Sequence, residues 1–206
     1  MSSAMRTLKH RFVSFLRDED GLILAEVLLM LPLVIWALVA MFIYWDVFRT
    51  INVTQKAAYG IADLLSRQRD TIPTSFADGL QNIMDFLTPG GHPVKMRITS
   101  FECVATATTA CNASTGSYRW LFSYSPGNKV TPLTEAQIQP WKGTKIPVLN
   151  NGDSVFVLET SVEFKAQLQT FLAGLLVNVN DATFGDFIVT RPRKRRLCLQ
   201  GVPTCV

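Results

Sequence analysis

Residues 22–45 constrain this chain more than any other stretch. They read LILAEVLLMLPLVIWALVAMFIYW, an apolar run broken by one charge, Glu26. At a helical rise of about 1.5 Å per residue the run measures about 36 Å, more than a hydrocarbon core about 30 Å thick. Trp36 sits inside it. Tyr44 and Trp45 close its C-terminal end, where amphipathic rings settle at the headgroup level. The run predicts a single transmembrane helix. The competing reading is a buried core helix, but soluble core helices are seldom this long and apolar all round.

The flanks set an orientation. Residues 1–17 carry Arg6, Lys9, Arg11 and Arg17 and no acid. By the positive-inside rule this arm is cytoplasmic, and the bulk of the chain lies on the other side. A cleaved secretory peptide is the alternative. Its apolar region runs about 7–15 residues and is followed by a small-x-small site. This run is longer and ends in Ile43-Tyr44-Trp45.

Two residues inside the run stand out. Glu26 costs on the order of 2–3 kcal/mol in a membrane even on the lenient insertion scale, so it needs a partner or a task. Pro32 lacks an N–H, frees one backbone carbonyl and predicts a kink. Before the run comes Asp18-Glu19-Asp20-Gly21, so Glu26 falls five residues after a glycine that ends a polar segment. This arrangement resembles the class III signal of type IV pilin-like proteins. The resemblance implies cleavage between Gly21 and Leu22 by a prepilin peptidase. It also implies that Glu26 pairs with the new amino terminus of a neighbouring subunit.

Residues 46–70 continue the helical pattern. Val47, Ile51, Ala58, Ile61 and Leu65 share one face, and Asp63 precedes Arg67 by four, the favourable order for an ion pair. A long helix is therefore expected to leave the bilayer and become amphipathic, packing its stripe on a domain. The remainder, residues 71–206, is expected to be an α+β head: the long helix laid on a small antiparallel sheet, a pilin-like architecture. Ser75 is the expected N-cap of a helix reaching Leu87, with Phe76, Leu80, Ile83, Met84 and Leu87 inward. Pro89-Gly90-Gly91 stops it. Val94, Met96, Ile98 and Ser100 alternate with polar residues and predict a strand. Tyr118, Trp120, Phe122 and Tyr124 predict its partner, with one shared face. Asn150-Asn151-Gly152-Asp153 is a turn signal before a strand over residues 154–165. A helix is expected over residues 167–177 and a last strand over residues 184–190.

The net charge of +4 does not describe the head evenly. The cations concentrate in the N-terminal arm and in Arg191, Arg193, Lys194, Arg195 and Arg196, within the run RPRKRR. Such a run is either a solvated strand end or a contact for lipid headgroups or an acidic partner. No nucleic-acid motif or aromatic stacking platform accompanies it, so no specific nucleic acid is expected. Four cysteines fall as two local pairs, Cys103/Cys111 and Cys198/Cys205. Three connectivities are open. Local pairing is expected because each pair brackets a short loop, and disulfides persist outside the cytoplasm. Zinc is the weaker alternative, since only His10 and His92 accompany these spacings.

Catalysis finds no motif. No G-x-S-x-G, H-E-x-x-H or glycine-rich phosphate loop is present. Glu159 and Glu163 share one strand face, and solvated carboxylates explain them. We expect no enzyme, no catalytic residue, no cofactor, no metal and no small-molecule substrate.

Arg11-Phe12, Arg17 to Gly21, Glu26 and Pro32 resemble the N-terminus of TadE/TadG-like proteins, the pseudopilins of tight-adherence (Tad/Flp) pilus loci. Residues 62–68 (ADLLSRQ), the Gly152-Asp153 turn into a strand carrying Glu159, and the terminal residues 189–193 (VTRPR) are similar to the same family. The resemblance implies a minor pilin or assembly component in the bacterial inner membrane, with a periplasmic head. Its implied partners are inner-membrane lipid, other pilins or pilus-assembly subunits, and the peptidase.

Overall fold

The computed structural model describes residues 20–69, 71–88, 92–106, 110–164, 182–194 and 196–205. The basic arm, the helix expected over residues 167–177 and Arg195 lie outside them. The chain is α+β and divides into two units, Met1–Asp46 and Val47–Val206.

Helix α1, Asp20–Ser66, carries the apolar run and includes Pro32. In the first unit its large apolar side chains are exposed, Leu29 at 76% and Trp45 at 70%. It is the one helix among the described residues long and apolar enough to cross a membrane. In the second unit α1 buries Ala57, Ala58, Ile61, Ala62 and Leu65. The predicted stripe is thus present, with Val47 and Ile51 half-buried at its start.

The head's main sheet holds β1 (Val94–Val104), β3 (Ser117–Tyr124), β5 (Ser154–Phe164) and β6 (Ala182–Thr190) in the order β3-β1-β5-β6. Every neighbouring pair is antiparallel. A small second sheet pairs β2 (Ala110–Cys111) with β4 (Leu149–Asn150). Period-2 alternation explains the two faces. Met96, Ile98, Phe156, Leu158 and Ile188 point to α1 and α2, the latter spanning Thr74–Leu87. Phe101, Cys103, Val155 and Val157 point the other way, onto Ile138 of the short helix α3 (Glu135–Ile138), Trp141 and Ile146 that follow it, and Leu149 of β4.

Strand β3 departs from the expected single shared face. Tyr118 does not join Phe122 and Tyr124. The pairing register shifts between Ser100, opposite Phe122, and Phe101, opposite Trp120. Leu121 is the extra residue of a β-bulge, and a bulge re-aims every side chain beyond it. Tyr118 therefore packs on Phe101, with ring centroids 4.7 Å apart, in the second cluster. Helix α2 also departs. It starts at Thr74 after Pro73, with no side-chain cap, so Ser75 is not its N-cap. Pro73 takes the N-cap in extended backbone, and its carbonyl accepts the Phe76 amide at 3.1 Å. Its inward face is Ala77, Leu80, Gln81 and Met84, whereas Ile83 and Leu87 are exposed. A helix packed along one narrow line buries only the residues within about a quarter-turn of it, and here that line passes through Gln81 rather than Ile83.

The C-terminal segment ties the head together. The Arg193 amide donates to the Ser66 carbonyl at 2.9 Å, satisfying one of the carbonyls that a helix end leaves open. Ile72 bridges Leu199 in parallel, with the Ile72 amide donating to the Cys198 carbonyl at 2.9 Å. The Ser100 hydroxyl donates to the Leu197 carbonyl at 2.8 Å. At the bulge, the Thr204 hydroxyl donates to the Leu121 carbonyl.

Candidate functional site

The N-terminal residues of interest lie on one helix. Gly21 and Leu22 are in the first turns of α1, Glu26 is exposed, and Pro32 is inside the helix. Glu26 forms no ion pair among the described residues. Its chemistry is that of a carboxylate presented along an apolar helix.

The cysteines split. Cys103 and Cys111 are joined, with an S–S distance of 2.10 Å and eight residues of separation. The bond closes the β1–β2 connection and lies in the second core cluster. Gly116, at φ 69°, leaves the room it needs: a Cβ there would stand 2.7 Å from the Cys111 sulfur. The expected Cys198–Cys205 bond is not formed, and both thiols are free. The Cys198 thiol donates to the Cys205 backbone carbonyl, 3.7 Å away. Cys198 is held by the Ile72 bridge, and Cys205 ends a separate turn, Pro203–Cys205. Burial, then the contact with Cys205, pushes the Cys198 thiol up to about 12. It stays protonated and is a poor nucleophile.

The basic run is drawn into the head more than a solvated strand end would be. Arg191 pairs with Asp153, Arg193 with Asp63 at 2.8 Å, and Arg196 with Glu102 at 3.4 Å. Lys194 is exposed. Asp63 also receives Arg67 at 2.8 Å, the predicted i,i+4 pair. The Arg67 hydrogen bond outweighs desolvation and, with the charges of Arg67 and then Arg193, holds the Asp63 carboxyl below its ordinary value. Glu159 and Glu163 do share a face, where they meet Arg97 at 2.7 Å and Lys95 across β1. They are cross-strand ion pairs, a structural role.

His92 is buried and stacked on Phe164 at 4.8 Å. Among the described residues no cluster of three metal-ligating side chains occurs. Two clefts remain. One, about 290 Å³, opens beside β5 and β6 and includes Lys95, Arg97, Glu159 and Lys145. Lys145 also lies over the Trp141 and Phe187 rings, at 5.8 and 5.3 Å. The other, about 490 Å³, lies between α2 and the loop after β3. Sequence reasoning did not single it out. Its signal was present in Asp78, Gln81, Asn82 and Asp85, whose spacing of three, four and seven puts them on one helix face.

Compared with known proteins, the chain matches no family model, no curated protein and no solved structure.

Proposed function

We propose that this protein is a membrane-anchored pseudopilin-like component of a Tad/Flp-type pilus assembly system, acting by association rather than catalysis. One observation carries the reading. A single helix joins a Gly-x4-Glu junction and an exposed apolar run to a buried stripe in an α+β head. The resemblance to TadE/TadG-like proteins at Gly21, Glu26, Pro32 and residues 189–193 supports it. On this reading the N-terminus is cytoplasmic, the run spans the inner membrane and the head is periplasmic, where the Cys103–Cys111 bond is stable. Glu26 is the group that a neighbouring subunit's amino terminus neutralises, which removes the cost of a lone carboxylate in lipid.

A second reading has its own support. Residues 22–25, Leu-Ile-Leu-Ala, are bulkier than the small-residue stretch usual in the family. This favours an uncleaved, single-span protein whose head binds an envelope partner outside any fibre.

Intact-mass spectrometry of the protein extracted from membranes, with and without reduction, separates the two. Loss of residues 1–21 is the expected result and establishes prepilin-type processing. A full-length chain replaces the pilus reading with the anchored one. A chain with all cysteines reduced places the head on the cytoplasmic side and overturns both.

A further inference from the structure

We propose that Cys198 and Cys205 form a thiol–disulfide exchange pair whose closure latches the C-terminal turn onto the bulge of β3. The inference does not depend on the pilus reading. The chain doubles back between the two cysteines. Gly201 takes φ 84°, which glycine adopts without strain, and the Val202 amide donates to the Leu199 carbonyl at 3.4 Å. That reversal returns Cys205 to Cys198, whose thiol donates to the Cys205 carbonyl at 3.7 Å. The two side chains are in hydrogen-bonding contact as well, one of the causes that raise the Cys198 thiol. Both thiols are free. Cys198 is the anchored member: the Ile72 amide donates to its carbonyl at 2.9 Å, the Gln200 amide donates to the Ile72 carbonyl at 2.9 Å, and the Ser100 hydroxyl holds the Leu197 carbonyl. Cys205 ends the Pro203–Cys205 turn, which reaches the sheet through the Thr204 hydroxyl on the Leu121 carbonyl, at the bulge.

The two cysteine pairs differ in access. Cys103 and Cys111 are 1% and 0% exposed, so an outside sulfur does not reach their bond. Cys198 is also buried, but Cys205 is only half-buried. Exchange begins at a sulfur that a co-reactant can touch. Cys205 is therefore the entry thiol and Cys198 the resolving one. The co-reactant is a small disulfide or the exposed disulfide of a thiol oxidoreductase. The Cys205 thiol gives up its proton to solvent, and its sulfur attacks the co-reactant's disulfide; one thiol leaves and a mixed disulfide forms. The Cys198 thiol then loses its proton, attacks the Cys205 sulfur and expels the second thiol. Two protein thiols are oxidised to one disulfide, and one co-reactant disulfide is reduced to two thiols. The Arg196 guanidinium favours the Cys198 thiolate in the second step, and its partner Glu102, at 3.4 Å, opposes it. Closure ties the anchored Cys198 to the turn that carries Thr204. The disulfide form thus holds the cap on the Leu121 carbonyl, and the dithiol form lets it open.

The test incubates the full-length chain in detergent micelles with glutathione buffers of rising disulfide content, blocks the remaining thiols with iodoacetamide and maps the cysteines by peptide mass spectrometry. Cys198 and Cys205 are expected to pass together from two blocked thiols to one bond, while Cys103–Cys111 stays bonded across the series. Amide hydrogen exchange around Leu121 and over residues 199–205 is expected to slow roughly tenfold or more on closure. Cys198→Ser should stop at the glutathione mixed disulfide on Cys205, and Cys205→Ser should take up no glutathione. Should either variant not fold, the wild type answers through its order of alkylation, with Cys205 blocked first. A pair that stays reduced at the most oxidising ratio, glutathione on Cys205→Ser, Cys198 alkylated before Cys205, Cys103–Cys111 opening at the same ratio, or closure that leaves exchange around Leu121 unchanged overturns the proposal.

Discussion

The two stretches of α1 share a backbone and differ in what surrounds them. From Ile23 to Trp45 the helix exposes its leucines, valines and tryptophans; from Ala57 to Leu65 it hides alanines, an isoleucine and a leucine completely. The first stretch is apolar on every side, so no rotation about its axis gives a dry face and a wet one. The second alternates polar and apolar at helical spacing, so one rotation satisfies both. Apolarity all round calls for a nonaqueous surrounding; a stripe calls for a partner surface. In this chain the partner is the sheet face of Met96, Ile98, Phe156 and Leu158.

The comparison is broken most directly by matched truncations. Leu65→Ala is expected to destabilise the head by about 2–5 kcal/mol, the range for a fully buried leucine, whereas Leu29→Ala leaves the head's denaturation midpoint unchanged. Urea melts of both variants in one detergent, read by tryptophan fluorescence, check this. A midpoint shift for Leu29→Ala equal to that for Leu65→Ala removes the distinction between the stretches.

A smaller effect sharpens the head side. Replacing both Cys103 and Cys111 by serine opens a loop of eight residues' separation. Loop-closure entropy puts the loss at about 2.5 kcal/mol. The melt should move in the head alone, and the micelle-bound fraction of the chain should not change. Reducing agent should reproduce the shift in the wild type and do nothing to the double variant.

The smallest expected effect concerns pH. Asp63 has its carboxyl lowered by Arg67 and Arg193, so its contribution is fully present above the ordinary aspartate value of 3.8. It fades as pH falls through the lowered folded value. Asp63→Asn should therefore flatten the acid limb of the stability curve and leave its neutral part nearly parallel to wild type. An acid limb as steep as before means that the Arg193 strap is held by its backbone hydrogen bond to the Ser66 carbonyl and not by Asp63.

Much of the head was legible because its signals are local. The alternation in residues 94–100 and 154–164 wrote two central strands, and Asn150-Asn151-Gly152-Asp153 wrote the turn that enters the second, with Gly152 at φ 80°. What failed was non-local. Nothing between Ser117 and Tyr124 announces that Leu121 is skipped, because a bulge is defined by the strand opposite. The face of α2 was misjudged for a related reason. Phe76 does pack against the core, but Ile83 and Leu87 are exposed, because the sheet meets the helix along Ala77, Leu80 and Met84. Four cysteines in two short loops look alike in one dimension; of them, Cys103 and Cys111 are bonded and Cys198 and Cys205 are free.

By itself the sequence determined the apolar helix, the amphipathic continuation, the strands and their turn, since each depends on residues within a few positions of one another. Only the tertiary structure decided which carboxylates the C-terminal arginines meet, where the register of β3 slips and that Asp78, Gln81 and Tyr124 enclose a cleft. Those are matters of distance between segments far apart in the chain. Periodicity fixes which face a residue occupies on its own element, but the element it meets is chosen by the packing of the whole head.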